Sequence, residues 1–309
     1  MVTMIKSILV PLDGSAFSEQ ALPWAACLSK VAGAHLELVR VHDPVPPWTI
    51  ATEGAVAATA VDPSIRDAEE QYMANCAARL EEGGFTGVTR QLLDGDVVEQ
   101  IASHAEDNAF GLVVLATHGR GALSRLWLGS VSDALVRRLT VPVLLIRPTE
   151  GTAIPPAEQF RKVLVALDGS TESESAIGPA LALVDPKQCE VVLLRVVPPV
   201  PIAGEAGMGS ALPLDDTLTD SLTAQAEAYL ASVAARIRSP AIKIVTRVVV
   251  EPGVAQAILH EATLADAELL ALATHGARGL RRMVLGSVAD KVLRGADRPV
   301  LLTRVPDRR

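Results

Sequence analysis

Two stretches of this chain hold the residue types best suited to chemistry. Residues 116–131 read ATHGRGALSRLWLGSV, and residues 273–288 read ATHGARGLRRMVLGSV. Each carries T-H-G, nine residues, then G-S. Gly119 and Gly129 have no side chain, so backbone there can approach a ligand closely and take positive φ. Gly129-Ser130 opens an expected helix, and a helix start presents unpaired amides and a partial positive charge, which suits phosphate. Ser130 and Ser132 add hydroxyls, and Arg120 and Arg125 add charge. A third group, Asp13, stands in D-G-S directly after an apolar run. A carboxylate repels phosphate but accepts hydrogen bonds from ribose hydroxyls. These residues together point to a nucleotide, sugar near Asp13 and phosphates near Gly129-Ser130. The same residues also suit plain structural duty: turn glycines, Ser130 as a helix cap, Asp13 capping its own turn.

The elements that must position them are written twice. ILVPLDGSAFSEQAL (8–22) matches VLVALDGSTESESAI (163–177), and LELVRVHDPVP (36–46) matches VVLLRVVPPVP (191–201), both at an offset of 155. The T-H-G stretches are offset by 157, and 18 of 34 positions are identical between 115–148 and 272–305. A period of this length is the size of a domain. RPTEGTAIPPAEQFRK (147–162) has linker composition, which predicts domains at 1–148 and 161–309 with a linker at 149–160.

Each half alternates strand and helix. Strands are predicted at 8–12, 36–42, 88–93, 112–117 and 143–147, then at 163–167, 189–197, 243–250, 268–274 and 300–304. Helices are predicted at 18–31, capped by Ser18 and kinked by Pro23, at 64–82, at 97–108, and from Ser130. Ile65, Ala68, Tyr72, Cys76 and Leu80 form the expected buried stripe of the second helix. Such βαβ alternation implies a parallel sheet with helices on both faces, and ligands bind such sheets beyond the strands' carboxyl ends, where the winding order reverses. The connections 43–63 and 198–216 leave from that edge and are expected to act as lids, Trp48 either covering a base or anchoring its loop.

Composition narrows the class. The 309 residues are 49% hydrophobic but 3% aromatic, so aliphatic side chains must fill the core. A net charge of −8 opposes nucleic acid and anionic membranes as partners. No apolar run is long enough for a transmembrane helix, and the N-terminal run is too short for a secretion signal, so a cytoplasmic location is expected. Cys27, Cys76 and Cys189 form no C-x-x-C pair and are read as reduced apolar residues. His35, His42, His104 and His260 show no metal-ligand spacing, and no metal site is expected.

The residues V-P-L-D-G-S (10–15), V-A-L-D-G-S (165–170) and the doubled T-H-G-x9-G-S make the chain resemble a tandem universal stress protein over nearly its whole length. The resemblance implies, for each half, a five-stranded parallel α/β sheet of order 3-2-1-4-5, adenine nucleotide alpha hydrolase-like, that binds ATP through G-x2-G-x9-G-[ST]. It places Asp13 and Asp168 at ribose or adenine and the backbone of Val41 and Val196 at adenine. It puts Gly119, Gly129, Ser130, Val131 and Ser132 on the phosphates, as it does Gly276, Gly286, Ser287 and Val288, with Mg²⁺ as a companion ion. Arg120 adds charge beside Gly119. The chain departs from the pattern at its first glycine, which is Ala116 in one half and Ala273 in the other. Ala289 replaces Ser132 and Ala166 replaces Pro11, so the first site is expected to be the tighter one. The resemblance further implies an intramolecular pseudo-dimer through the edges PVLLIRP and RPVLLTR, with a further homodimer as an extension.

No G-x4-G-K-[ST] loop and no G-x-S-x-G elbow occurs. His118 and His275 sit beside loop glycines without a sequence-adjacent nucleophile or carboxylate. The expected function is therefore an ATP-binding regulator of the stress response, not an enzyme. A scaffold of the same fold that binds no nucleotide, and a weak ATPase or phosphotransfer enzyme, stay open.

Overall fold

The computed structural model describes residues 5–43, 55–117, 129–147, 160–185, 188–202, 214–237, 241–274 and 285–304, with backbone alone at 55–62. Two compact units divide the chain, Thr3–Gln159 and Phe160–Arg309. The first contains β1 (Ser7–Pro11), a 3-10 turn (Ser18–Gln20), α1 (Ala21–Ala32), β2 (His35–His42), α2 (Ala55–Glu82), β3 (Val88–Asp94), α3 (Val97–Asp107), β4 (Leu112–Ala116), α4 (Ser130–Arg138) and β5 (Val143–Ile146). The second repeats it with β6 (Lys162–Ala166), a 3-10 turn (Ser173–Ala176), α5 (Ile177–Ala182), β7 (Cys189–Val197), α6 (Asp216–Arg236), β8 (Ile242–Val250), α7 (Val254–Leu264), β9 (Leu269–Thr274), α8 (Ser287–Gly295) and β10 (Val300–Arg304).

In the first unit the strands lie β3-β2-β1-β4-β5, all parallel. In the second they lie β8-β7-β6-β9-β10, also parallel. Counted from each unit's own first strand, both orders are 3-2-1-4-5, as expected. The central strands are continuous apolar runs because both of their faces are covered: Ile8, Leu9, Val10, Leu112, Val113 and Val114 are all fully buried. Helix α1 packs with α2, and α3 packs with α4, as right-handed crossovers from a central first strand require. Among the described residues no helix is long and apolar enough to cross a membrane.

Four local expectations are corrected. Ser18 does not cap α1. Its hydroxyl donates to the Ser15 carbonyl (3.0 Å) and accepts the Asp13 amide (3.3 Å), so it stabilises a 3-10 turn and the helix starts at Ala21. Pro23 falls in the first turn of α1, where its fixed φ suits a helix start and gives no reason for a kink. The second helix begins at Ala55, not 64, and carries Pro63 inside it. Ala55, Ala57, Ala58 and Ala60 are strong helix formers, and together they outweigh one proline. The buried stripe of α2 also differs: Ala68 is exposed, and Met73, Cys76 and Ala77 carry the burial. Of the two expected lids, residues 44–54, with Trp48, and residues 203–213 lie outside the described residues.

Candidate functional site

The strand order reverses at β1, which pairs with β2 on one side and β4 on the other. A crevice therefore opens beyond the carboxyl ends of β1 and β4. The D-G-S turn leaves β1 there. Asp13 Oδ1 accepts the Ser15 amide at 2.8 Å, so Asp13 does cap its own turn. Gly14 sits at φ +86°, a left-handed value that only glycine adopts without strain. The second unit repeats the device: Asp168 Oδ1 accepts from the Ser170 amide (2.9 Å) and hydroxyl (2.5 Å), and Gly169 sits at φ +88°.

Burial alone would raise the Asp13 carboxyl, but hydrogen bonds from Ser15 and Ser18 outweigh it and hold the group below its ordinary value of 3.8. A carboxyl depressed on folding contributes stability above its unfolded value and loses it as pH falls through the folded value. Asp13 is thus ionised throughout the neutral range. The affinity of any ligand held by this carboxylate is expected to stay flat between about pH 5 and 8, because no titration of Asp13 falls in that window. Calorimetry at the two ends checks this; a tenfold loss at the acid end would contradict it.

Helix α4 supplies the other wall. Thr117, fully buried, donates its amide to the Ile146 carbonyl (2.8 Å), and its hydroxyl donates to the same oxygen (3.2 Å). Thr274 makes the matching hydroxyl bond to the Thr303 carbonyl (3.5 Å). The threonine of T-H-G therefore ties the end of the fourth strand to the fifth. Gly129 is the cap residue of α4, with φ −60° and ψ 155° and no side chain capping the helix. The positive φ expected of Gly129 is not observed, because the cap takes ordinary extended backbone; Ser130 is the first helical residue and not the cap. The first amide to bond back along the helix is that of Asp133, to the Gly129 carbonyl (2.9 Å). The amides of Ser130, Val131 and Ser132 come before it, outside the intrahelical ladder. Gly286 caps α8 in the same way (φ −57°, ψ 146°), and a Cβ added there meets nothing within 4 Å. Neither backbone strain nor packing against the described residues requires glycine at that position.

Two cavities result. The first, about 410 Å³, brings together Pro11, Asp13, Val41, Ala116, Gly129, Ser130, Val131 and Ser132. The second, about 290 Å³, brings together Asp168, Val196, Ala273, Gly286, Ser287 and Val288. Gly119, Arg120 and Gly276, with His118 and His275, lie outside the described residues. The two cavities differ in polarity. Val97, Ile101 and Leu115 line the first as their counterparts Val254, Ile258 and Leu272 line the second, but Arg40, Asp43 and Glu69 line the first alone. The position matching Asp43 is Pro198 and that matching Glu69 is Ala226.

Sequence reasoning missed the Arg40–Glu69 cluster. Glu69 bridges Arg40 Nη2 (3.0 Å) and buried His42 Nδ1 (2.7 Å), which ties α2 to the end of β2. Glu69 faces the sheet because these partners satisfy its charge. The available signal was Arg40 itself, which recurs 155 residues later as Arg195 in an otherwise apolar strand. Among the described residues no group of three or more His, Cys, Asp or Glu is placed to hold a metal ion.

Comparison with known proteins agrees with this architecture. The family model described as the universal stress protein family matches residues 4–147 and again 159–304. A universal stress protein of Mycobacterium tuberculosis is 30% identical over 321 aligned residues, covering 96% of each chain. One from Mycolicibacterium smegmatis is 29% identical, again over 96% of each chain. Among solved structures, a universal stress protein from Archaeoglobus fulgidus superposes with a TM-score of 0.67 at 18% identity, covering 98% of both chains.

Proposed function

The chain belongs to the universal stress protein family as a tandem pair of its domains, and from that premise we propose that the first cavity binds an adenine nucleotide. Ribose lies at Asp13, the base against the backbone at Val41, and the phosphates, with Mg²⁺ when it is present, at the amides of Ser130, Val131 and Ser132. One observation carries this reading: the fourth helix of each unit starts at a glycine with no side-chain cap, just before amides that lie outside the intrahelical ladder. At Gly286 a methyl group would meet nothing within 4 Å among the described residues, and Gly129 has the same extended backbone. A glycine at the cap leaves room for another molecule, and unpaired helix amides favour an anionic one.

The second cavity is the weaker of the two. It keeps Asp168, Gly286 and Ser287, but Ala289 removes one hydroxyl, and Pro198 and Ala226 stand where the first cavity has Asp43 and Glu69. In the cell the protein is a cytosolic regulator that reports nucleotide state, not an enzyme. The reading is supported by two of the acids lining the first cavity, which already have work: Asp13 Oδ1 holds its turn, and Glu69 is paired with Arg40 and His42. Three thiols in no disulfide, two of them buried, fit a reducing compartment; burial and the nearby acids Glu268, Asp185 and Glu190 push Cys189 up to about 12, out of the reactive range.

Two substitutions separate sugar from phosphate recognition. Asp13→Ala is expected to weaken ATP and adenosine alike, by roughly ten- to a hundredfold, as for loss of a charged hydrogen bond. Ser130→Ala is expected to weaken ATP and leave adenosine nearly unchanged. Equal ATP affinity in wild type and Asp13→Ala would remove the ribose from this site.

A further inference from the structure

We propose that Arg40 and Arg195 are positioning residues that hold the two D-G-S turns, and so the carboxylates of Asp13 and Asp168, from beneath. Arg40 is the residue before Val41 on β2, and its guanidinium carbon lies 5.5 Å from the centre of the Tyr72 ring on α2. Its Nη1 stands 2.6 Å from where a Cβ of Gly14 would be. The second unit repeats this with different surroundings. Arg195 lies 5.5 Å from the Tyr229 ring on α6, and its Nη1, Cζ and Nη2 come within 1.7, 2.7 and 2.9 Å of where a Cβ of Gly169 would be. Each turn glycine therefore serves two purposes. It accepts positive φ, and it leaves the space that the guanidinium fills.

The donors of Arg40 show what the group is for. Nη2 pairs with Glu69, while Nε and Nη1 are buried and have no hydrogen-bond partner among the described residues. A guanidinium used mainly for charge would have those edges satisfied. Here its flat, weakly hydrated plane lies against backbone and ring, a packing that a lysine ammonium cannot reproduce. The clamp is completed about two helical turns further along. Arg79 on α2 pairs with Glu19 at 2.6 Å, and Arg236 on α6 pairs with Glu174 at 2.8 Å, so each helix also grips the 3-10 segment that follows its turn. Glu69 belongs to the first unit alone, since Ala226 stands at the matching position. It draws Arg40 toward α2, and Arg195, without such a partner, crowds its glycine more closely.

The role toward the turn stands on this geometry; the role toward a ligand rests on the reading of Asp13 proposed above. The full chain, with aspartate labelled at the side-chain carboxyl carbon and the Asp13 signal assigned through Asp13→Asn, separates the two. The Asp13 titration midpoint is followed by carbon NMR and adenosine affinity by calorimetry in wild type, Arg40→Lys and Arg40→Met. If the guanidinium plane holds the turn, both variants release the Ser15 and Ser18 bonds to Asp13, the midpoint rises in both, and adenosine weakens about tenfold. An unchanged midpoint in both, or a rise in Arg40→Met alone, overturns the proposal, the latter because lysine keeps the charge. If the midpoint rises but wild type binds no adenosine, the positioning role holds and the nucleotide reading fails. Tyr72→Leu, which removes the ring and leaves Arg40, gives the same decision by the same midpoint should the arginine variants not fold.

Discussion

Gly129→Val is expected to lower ATP affinity by about a hundredfold or more while the chain stays folded. Gly129 has φ −60° and ψ 155°, backbone that valine adopts freely. The cost to the fold is that of a poorer cap residue, about 1 kcal/mol. The cost to the ligand is larger, because the branched side chain stands over the amides of Ser130, Val131 and Ser132. Losing two charge-assisted hydrogen bonds at about 1.5–3 kcal/mol each exceeds a hundredfold in binding. Circular dichroism and an ATP titration on the same sample read both effects. A variant that binds ATP as wild type does would remove the phosphates from α4.

Gly169→Ala is expected to destabilise the second unit by about 2 kcal/mol, lowering its melting temperature by roughly 4–8 °C. Placing alanine in left-handed backbone costs about 1–2 kcal/mol, and Gly169 sits at φ +88°. The methyl group would also overlap three atoms of the Arg195 guanidinium, so the plane must leave the Tyr229 ring and forfeit about 0.5–1 kcal/mol of cation–π attraction. Gly14→Ala carries the same backbone strain but meets only Nη1 of Arg40 at under 3 Å, at the mobile end of the side chain. Its cost is expected to be smaller, about 1 kcal/mol. Scanning calorimetry that finds the two glycines equivalent would contradict the closer packing assigned to Arg195.

Much of the sheet could be read from residue order because its strands are buried on both faces. Val-Leu-rich runs such as Ile8–Val10 and Val143–Ile146 have no polar position to obscure them, and every residue in both is buried. The duplication then supplied the second copy of each boundary. What could not be read were features that depend on which face of an element meets which neighbour. The start of α2 was hidden because Pro63 reads as a breaker, although an alanine-rich run precedes it. Glu69 reads as a solvated acid until β2 brings Arg40 and His42 to the same side of the sheet. Arg40 was a lone charge among apolar residues, and its contacts with Gly14 and Tyr72 join positions far apart in sequence. The cap geometry of Gly129 was equally closed to inspection, since a loop glycine suggests positive φ and this one is extended. The D-G-S and G-S positions were legible because their chemistry is local. Each is a short turn or helix start whose hydrogen bonds reach no more than five residues along the chain.

The central claim is that the first cavity holds an adenine nucleotide through Asp13 and the start of α4. The most direct measurement is a calorimetric titration of ATP into the full chain, repeated on Gly129→Val and on Gly286→Val. Saturable binding whose tighter component is lost in Gly129→Val and kept in Gly286→Val is the predicted result. Absence of saturable heat in wild type, or identical isotherms in wild type and Gly129→Val, would contradict it.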